Sequence, residues 1–175
     1  MIVLYIILGI VAAILIAGLF IPKGMTATRE VVVNKPNDEV FNFIRYLENQ
    51  QKFSKWASMD PDMKTEMRGN PDGTPGAVHC WTGNKKVGEG EQEIKAVEEG
   101  KKVDYELRFI KPFRSVASAT MTTEAAGAAS TKVSWSFSGS MNYPLNVMKL
   151  FMSMEKSIGD DFQTGVNNLK ALMEK

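Results

Sequence analysis

The stretch TREVVVNKPNDEVFNFI, residues 28–44, joins two segments of different periodicity. Its first half belongs to Thr26–Asn34, which is rich in β-branched residues and predicts a strand. A proline then interrupts the strand, and Asn37 can cap a helix whose first turn carries two acidic residues. Apolar residues at helical spacing follow from Val40. The stretch therefore predicts a strand that leads into an amphipathic helix ending near Tyr46, with a second short helix over residues 48–55.

Downstream of this stretch, short segments that alternate between apolar and polar residues predict a meander of antiparallel strands. In the last of them Val133, Trp135 and Phe137 would face inward, with serines facing outward. Turn residues separate the segments. The predicted strands are Lys64–Arg68, Ala77–Thr82, Val87–Glu98, Val103–Ile110, Ser115–Glu124 and Thr131–Gly139.

A long C-terminal segment, from Leu145 to about Met173, carries an apolar stripe at helical spacing and predicts one helix. A sheet of this size must bury its inner face, and this helix is the only long apolar surface that follows it. The predicted fold class is α+β, an antiparallel sheet wrapped around a long C-terminal helix.

The N-terminal segment differs from the rest of the chain. Residues 2–21 hold no charged side chain, and 18 of these 20 residues are apolar. As a helix they would extend roughly 30 Å, the hydrocarbon thickness of a bilayer. We therefore predict a transmembrane helix that anchors the chain over residues 1–22, ahead of a domain over residues 26–175. A cleaved signal peptide is the alternative, but no basic residue precedes the apolar run and no small-x-small site ends it.

The charges lie entirely in the C-terminal domain. Lysine plus arginine (21) nearly balances aspartate plus glutamate (20), which excludes a nucleic-acid binder that acts through bulk positive charge. Lys23, Arg29 and Lys35 follow the apolar run, so the positive-inside rule predicts a membrane protein with its domain in the cytoplasm. A single cysteine permits no intramolecular disulfide.

Two stretches carry a resemblance to a known superfamily. Residues 28–44 are similar to the opening of START-like (SRPBCC, helix-grip) proteins, in which a strand runs into a Pro-x-x-Glu-Val-aromatic helix. The stretch WTGNKKVGEGEQEI, residues 81–94, and the closing amphipathic helix resemble the polyketide cyclase/dehydrase branch. The resemblance implies a helix-grip fold with a deep apolar cavity. It implies no single reaction, because the superfamily includes lipid carriers, enzymes and co-chaperone modules.

Motifs for catalysis or cofactor binding are scarce. His79 and Cys80 are adjacent on a strand and would point to opposite faces, so they cannot form a dyad with each other. One histidine and one cysteine cannot build an ordinary zinc site, and we predict no metal and no cofactor. Candidates for acid or base chemistry are Glu155, Tyr105 and His79. Glu155 lies on the helix stripe, where a carboxylate either reaches the rim or enters the cavity with a raised pKa.

Aromatic and methionine side chains are the main positive signal for ligand binding. Gln92 is the polar group on an inward-facing strand position that could reach a ligand; alternatively it satisfies a backbone group in the core. The predicted ligand-binding residues are Trp56, Trp81, Gln92, Tyr105, Phe109, Trp135, Phe137, Met148, Phe151 and Phe162.

Three functions remain open from the sequence. The first is a membrane-anchored domain that binds an apolar small molecule or lipid in its cavity. The second is a cyclase/dehydrase-like enzyme acting on an apolar or aromatic substrate, and the third is a protein-interaction module with a filled core. The turns at residues 84–86 and 111–114 should share one end of the sheet. They are basic and could touch anionic headgroups, or they are ordinary solvated turns.

Overall fold

A computed structural model describes all residues, 1–175, and contains one sheet of seven strands. The strands are β1 (Gly24–Val33), β2 (Lys64–Gly69), β3 (Ala77–Thr82), β4 (Glu89–Glu98), β5 (Lys102–Lys111), β6 (Ser115–Gly127) and β7 (Ser130–Ser140). The helices are α1 (Ile2–Gly18), α2 (Asn37–Ile44), α3 (Leu47–Gln50), α4 (Lys55–Ser58) and α5 (Met154–Met173). A 3-10 segment, Leu145–Leu150, precedes α5.

Every neighbouring pair of strands is antiparallel, in the order β1-β7-β6-β5-β4-β3-β2. The chain is therefore a meander from β2 to β7, and β1 closes the far edge by pairing with β7. Alternation fixes the register: Val133, Trp135 and Phe137 of β7 are buried, as their spacing predicts. The predicted antiparallel α+β sheet is confirmed, and each predicted strand is present with ends shifted by a few residues at most.

Helix α5 packs on β1 and β7 and buries the inner face of the sheet there. Phe162, Val166 and Leu169, at spacings of four and three residues, are almost fully buried. Gly165 lies against the Trp135 ring, where an added Cβ would come within 2.8 Å of the indole. The C-terminal end of α5 is fixed to the sheet because the Glu174 carboxylate accepts a 2.6 Å hydrogen bond from the Asn34 amide.

The helix predicted over residues 145–173 begins later than expected. Residues 145–150 form the 3-10 segment, and α5 starts at Met154, where the Ser153 hydroxyl accepts a hydrogen bond from the Lys156 amide. Apolar residues three apart suit a 3-10 turn as well as an α-helix, so the spacing alone could not separate the two. Of the short helix predicted over residues 48–55, the structure contains only α3, and a separate helix, α4, begins at Lys55, where the predicted one ends.

Helix α1 makes few contacts with the domain. It covers 17 residues, and its side chains are exposed almost throughout, with Ile2 at 76% and Ile16 at 59%. None of the helices combines the length and the apolar character that a membrane-crossing helix requires. The transmembrane helix predicted over residues 1–22 is therefore not supported by the structure.

The C-terminal end of α1 is attached to the 3-10 segment. Asn146 is fully buried, and its amide donates to the carbonyls of Gly18 (2.7 Å) and Ile21 (3.1 Å). Lys149 donates to the carbonyls of Pro22 and Gly24, in the segment that joins α1 to β1. The junction is therefore held by these polar contacts together with the close packing of Gly18 against Val147 and Tyr143.

Candidate ligand-binding cavity

A cavity of about 420 Å³ lies between the inner face of the sheet, α5 and the short helices. Its lining is mostly hydrophobic, and all three tryptophans of the chain, Trp56, Trp81 and Trp135, contribute to it. Cavities of this size and composition are typical of sites that bind small organic molecules. The interior of the domain thus contains open space beside a packed hydrophobic core.

One wall of the cavity is a cluster of packed aromatic rings. Trp135 of β7 stacks on Phe162 of α5, with ring centroids 4.4 Å apart and an interplanar angle of 22°. Trp56 and Phe137 contact the same Phe162 edge-on, at 5.4 and 6.3 Å. These arrangements are favourable for aromatic quadrupoles and hold the rings in fixed positions. The wall therefore presents a rigid apolar surface.

The opposite wall comes from β3, β4 and β5. Trp81 and Phe109 meet edge-to-face at 6.1 Å, and the Trp81 indole donates to the Val87 carbonyl at 3.4 Å. Gly90 makes this arrangement possible, because a Cβ there would come within 2.5 Å of the indole ring. Gly90 therefore makes room for the Trp81 ring on the neighbouring strand.

The closed end of the cavity, formed by Gln50, His79 and Gln92, is polar. His79 and Gln92 are directly opposed across β3 and β4, so both point to the inner face. Gln50, at the end of α3, is 2% exposed, and its side-chain oxygen accepts a 2.9 Å hydrogen bond from the Gln92 amide. The closed end thus brings together residues from three elements that are far apart in sequence.

The electrostatics of the closed end keep its groups neutral. Burial lowers the pKa of His79, and the carboxylates of Asp72 and Glu48 oppose this effect only in part. Behind Gln50, Tyr105 is 2% exposed and its hydroxyl donates to the Ile44 carbonyl at 3.4 Å. Burial raises the pKa of Tyr105 far above its ordinary value, and a hydrogen bond with the Gln50 side chain lowers it by a smaller amount. Both groups are therefore uncharged at neutral pH.

The mouth of the cavity, formed by Lys86, Phe113, Arg114 and Asn142, is exposed. It lies at the end of the sheet where β1 begins and β5 and β7 end, and this is the end at which α1 joins the domain. Met141, beside Asn142, donates its amide to the Lys23 carbonyl at 2.9 Å. The mouth and the end of α1 are therefore neighbours.

The structure places most of the predicted ligand-binding residues on the cavity. Those that line it are Trp56, Trp81, Gln92, Phe109, Trp135, Phe137 and Phe162. Met148 and Phe151 do not, since they belong to the 3-10 segment and the turn after it, and Phe151 is 70% exposed. Tyr105 lies behind the lining and faces Ile44.

Of the three candidates for acid or base chemistry, only His79 lines the cavity. Glu155 is exposed in the first turn of α5, outside the cavity, and Tyr105 is enclosed in the core. His79 and Cys80 lie on opposite faces of β3, where the Cys80 thiol contacts Glu91 at 3.9 Å on the outer face. The cavity therefore contains a single histidine and no carboxylate.

Gln50 is among the cavity residues that the sequence analysis did not predict. It lies in a four-residue helix within a polar stretch, ENQQK, whose composition is typical of a surface segment. Its burial comes from a partner, Gln92, 42 residues away in sequence. The local signal that could have found it is its spacing, three residues after Leu47 and three before Phe53, which are both buried.

Comparisons with known proteins agree with this geometry. The sequence profile of the family described as polyketide cyclase / dehydrase and lipid transport matches residues 25–174. No match to a curated protein was found. The matched residues, 25–174, include all seven strands, the short helices and α5, and they leave out α1.

Several solved structures share the fold at low sequence identity. A protein from Nitrosospira multiformis is 18% identical with a TM-score of 0.59, covering 85% of this chain and 95% of its own. The protein XoxI from Bacillus cereus is 10% identical with a TM-score of 0.63, covering 86% and 96%. Ginseng major latex-like protein 151 from Panax ginseng is 12% identical with a TM-score of 0.59, covering 86% and 98%. The chain therefore belongs to the polyketide cyclase/dehydrase and lipid-transport family of the SRPBCC superfamily, with a START-like domain.

Proposed function

We propose that this chain binds an apolar small molecule or lipid in its cavity and holds that cavity at a membrane surface through α1. The observation that carries the proposal is the cavity of about 420 Å³ between rigid aromatic walls. Each Å² of apolar ligand surface that the cavity removes from water contributes roughly 25 cal/mol to the free energy of binding. For a molecule that fills the cavity, this is a sufficient driving force. The family's lipid-transport members give the proposal a precedent.

Binding is favoured over catalysis by the composition of the lining. General acid–base chemistry needs groups placed within reach of the reacting atoms, and usually more than one. The cavity offers only His79 at the closed end, while its lysines and arginine are at the mouth. A ligand in contact with the aromatic walls would be bound by complementary shape and apolar surface, and it would find very few groups that can donate or accept a proton.

Membrane attachment is supported by the surface of α1. The helix carries no charged residue and is apolar on all sides, so a second copy of the chain could cover only one stripe of it. A lipid bilayer covers every side at once. The apolar surface also continues onto Leu150, Phe151 and Met152, which are each more than half exposed beside the junction. Exposed Lys85, Lys86 and Arg114 could meet anionic headgroups there.

A cavity-filling variant tests ligand binding. Ala119 on β6 lines the cavity and is 5% exposed, whereas Ala125 on the same strand is exposed. We expect native mass spectrometry of the full chain in lipid nanodiscs to show one bound apolar molecule in the wild type and in Ala125→Phe. Ala119→Phe should lose it. Equal retention by Ala119→Phe would mean that the adduct lies elsewhere.

A charge in the middle of α1 tests the membrane attachment. Arg at the centre of a membrane helix costs about 2.5–3.5 kcal/mol, so Ile10→Arg should move the full chain from the floating to the sedimenting fraction in vesicle flotation. Ile10→Leu, at the same position, should float like the wild type. If the wild type forms a defined dimer without lipid and does not float, a second copy covers α1 and the membrane proposal is wrong.

The side of the membrane can be read from the only cysteine. The three basic residues that follow the apolar run place the domain on the cytoplasmic side in this proposal. Cys80 is partly exposed on the outer face of the sheet. In sealed right-side-out vesicles a membrane-impermeant maleimide should label Cys80 only after permeabilisation. Labelling of intact vesicles would reverse the orientation.

A further inference from the structure

A series of hydrogen bonds runs from the core to the closed end of the cavity, and it begins at the Ile44 carbonyl. Ile44 is the last residue of α2 and is fully buried. The amides of Leu47 and Glu48, which could bond to this carbonyl if the helix continued, bond to the Asp72 carboxylate instead. The carbonyl is therefore left to the Tyr105 hydroxyl, which donates its single proton to it at 3.4 Å.

The direction of this first bond fixes the direction of those that follow. Because the Tyr105 proton is given to Ile44, only the tyrosine oxygen is left, and the Gln50 amide nitrogen lies against it. The Gln50 oxygen is thereby turned towards Gln92, whose amide nitrogen donates to it at 2.9 Å. Turning the Gln50 amide over would place two acceptors together at Tyr105 and two donors together at Gln92.

The side-chain oxygen of Gln92 ends this series at the cavity. Gln92 lies on the inner face of β4, lines the cavity and is partly exposed. Its nitrogen faces Gln50, so its oxygen is directed away from Gln50 and makes no hydrogen bond within the protein. A molecule in the cavity can reach this oxygen, in contrast to the enclosed nitrogen of Gln50. An amide oxygen can only accept, so the closed end offers an acceptor to whatever occupies the cavity.

His79, which stands beside Gln92 on β3, adds a second polar contact. The two residues are opposed across the strands, and the His79 side chain makes no hydrogen bond within the protein. Burial keeps the imidazole neutral, so it presents one donor and one acceptor nitrogen. A hydroxyl suits this pair, because it can give its proton to the Gln92 oxygen and accept one from the imidazole. A carbonyl has no proton to give and would leave the Gln92 oxygen desolvated and unpaired.

We propose that the ligand of this cavity carries a neutral hydroxyl group at its inner end and donates the hydroxyl proton to the side-chain oxygen of Gln92. This inference rests on the proposed function and specifies its ligand: an otherwise apolar alcohol or phenol that enters with its hydroxyl first. The aromatic walls bind the apolar body. The direction of the hydrogen bonds from Ile44 outwards selects a donor over an acceptor.

The charges of the lining disfavour an ionised group at the closed end. No carboxylate lines the cavity, so an ammonium bonded to Gln92 would be desolvated without a counter-charge. A carboxylate on the ligand would place its own lone pairs against the Gln92 oxygen. The cationic side chains of the lining, which could offset that charge, are all at the mouth: Lys86, Lys111 and Arg114. A neutral hydroxyl avoids both costs.

Three probes of nearly the same shape test the inference: tetralin, 1-tetralone and 1-tetralol. They share one bicyclic body and carry no oxygen, a carbonyl and a hydroxyl, respectively. Their binding to the full chain in nanodiscs is measured by equilibrium dialysis, with empty nanodiscs as the correction for partitioning into lipid. In the wild type we expect 1-tetralol to bind about tenfold more tightly than 1-tetralone, because only the hydroxyl supplies a proton.

Gln92→Leu should bring 1-tetralol to the affinity of 1-tetralone, while tetralin binds as before. Gln163→Leu, the same substitution at a residue of α5 outside the cavity, is the matched control and should keep the tenfold preference. If Gln92→Leu fails to fold, the carbon-13 resonance of the Gln92 side-chain carbonyl in the wild type gives the answer, since 1-tetralol should shift it and tetralin should not.

Equal affinity for alcohol and ketone in the wild type, or an unchanged preference in Gln92→Leu, would overturn the inference alone. Tighter binding of 1-aminotetralin, as its cation, than of 1-tetralol would do the same, because the closed end would then select a charge. Failure of every probe to bind would overturn the proposed function as well.

Discussion

The two ends of the cavity are built in opposite ways. The closed end is enclosed by strand pairing and by residues of three elements, and its polar groups are neutral, with Gln50 and His79 buried. The mouth is exposed, carries basic and apolar side chains, and adjoins α1 through the few hydrogen bonds of Asn146 and Lys149. The difference suggests separate roles for the two ends. The closed end would select the ligand, and the mouth would determine where the ligand enters.

The largest expected contrast comes from the same substitution made in the aromatic wall and at the mouth. Phe162 is 3% exposed and contacts three aromatic rings, whereas Phe113 at the mouth is 58% exposed. We expect Phe162→Ala to lower the free energy of unfolding by about 3–5 kcal/mol and Phe113→Ala to change it by less than about 0.5 kcal/mol. Urea denaturation followed by tryptophan fluorescence measures both. Similar losses would show that the mouth is packed as tightly as the aromatic wall.

A second test concerns the junction beside the mouth. Asn146→Ala removes the donors to the carbonyls of Gly18 and Ile21, so opening of the junction should become easier by about 1–3 kcal/mol. Hydrogen exchange of residues 19–24 should accelerate, while exchange in β7 stays slow. Asn142→Ala, at an exposed residue nearby, is the control. Faster exchange throughout the sheet would mean that the junction and the closed end unfold together.

The third test is a milder change at the same junction. The Lys149 ammonium bonds to the carbonyls on both sides of Lys23, at Pro22 (3.0 Å) and Gly24 (2.7 Å). Lys149→Ala should lower the free energy needed to open this segment by about 1 kcal/mol. The effect is small because the ammonium is partly exposed. Limited trypsin digestion should then cut after Lys23 several times faster than in Lys156→Ala, which loses one surface lysine and no such bond. Equal cleavage rates would mean that the hydrogen bonds of Asn146, and not those of Lys149, hold the junction in place.

The finest test is the pH dependence of stability, which reports on the closed end. Burial lowers the pKa of His79, the only histidine of the chain, below its ordinary value near 6.5. As the pH falls below about 6.5 the unfolded chain binds the proton first, so stability should fall. Urea midpoints between pH 5 and 7.5 should show this decline, and His79→Gln should reduce it. An identical decline in the variant would place its origin in the carboxylates.

Sequence reasoning succeeded where one periodicity dominated. The inward positions of β7 and the strands before it follow from strict alternation, since one slipped residue would turn Trp135 and Phe137 to solvent. It failed where two structures share a spacing, as in the 3-10 segment that was predicted as the start of the C-terminal helix. Met148 and Phe151 were assigned to the site by the same error, and the structure places both outside it.

The sequence predicted those residues of the candidate site whose side-chain direction follows from their position on a single strand. Gln92, Trp135 and Phe109 were accessible from alternation, because side-chain direction on a strand follows from position. The pairing of Gln50 with Gln92 depends on how α3 packs over the sheet, and no local pattern encodes that contact. The bond between Gln50 and Gln92 therefore became visible only once the fold had brought α3 onto the sheet.

The most direct test of the account is binding of a neutral apolar probe, N-phenyl-1-naphthylamine, to the full chain in nanodiscs. All three tryptophans line the cavity, so a probe inside it should quench their emission by energy transfer and saturate at one probe per chain. Ala119→Phe should weaken binding about tenfold or more, because overpacking costs about 1–3 kcal/mol, while Ala125→Phe should bind like the wild type. Quenching that never saturates, or that is the same in all three proteins, would contradict ligand binding in the cavity.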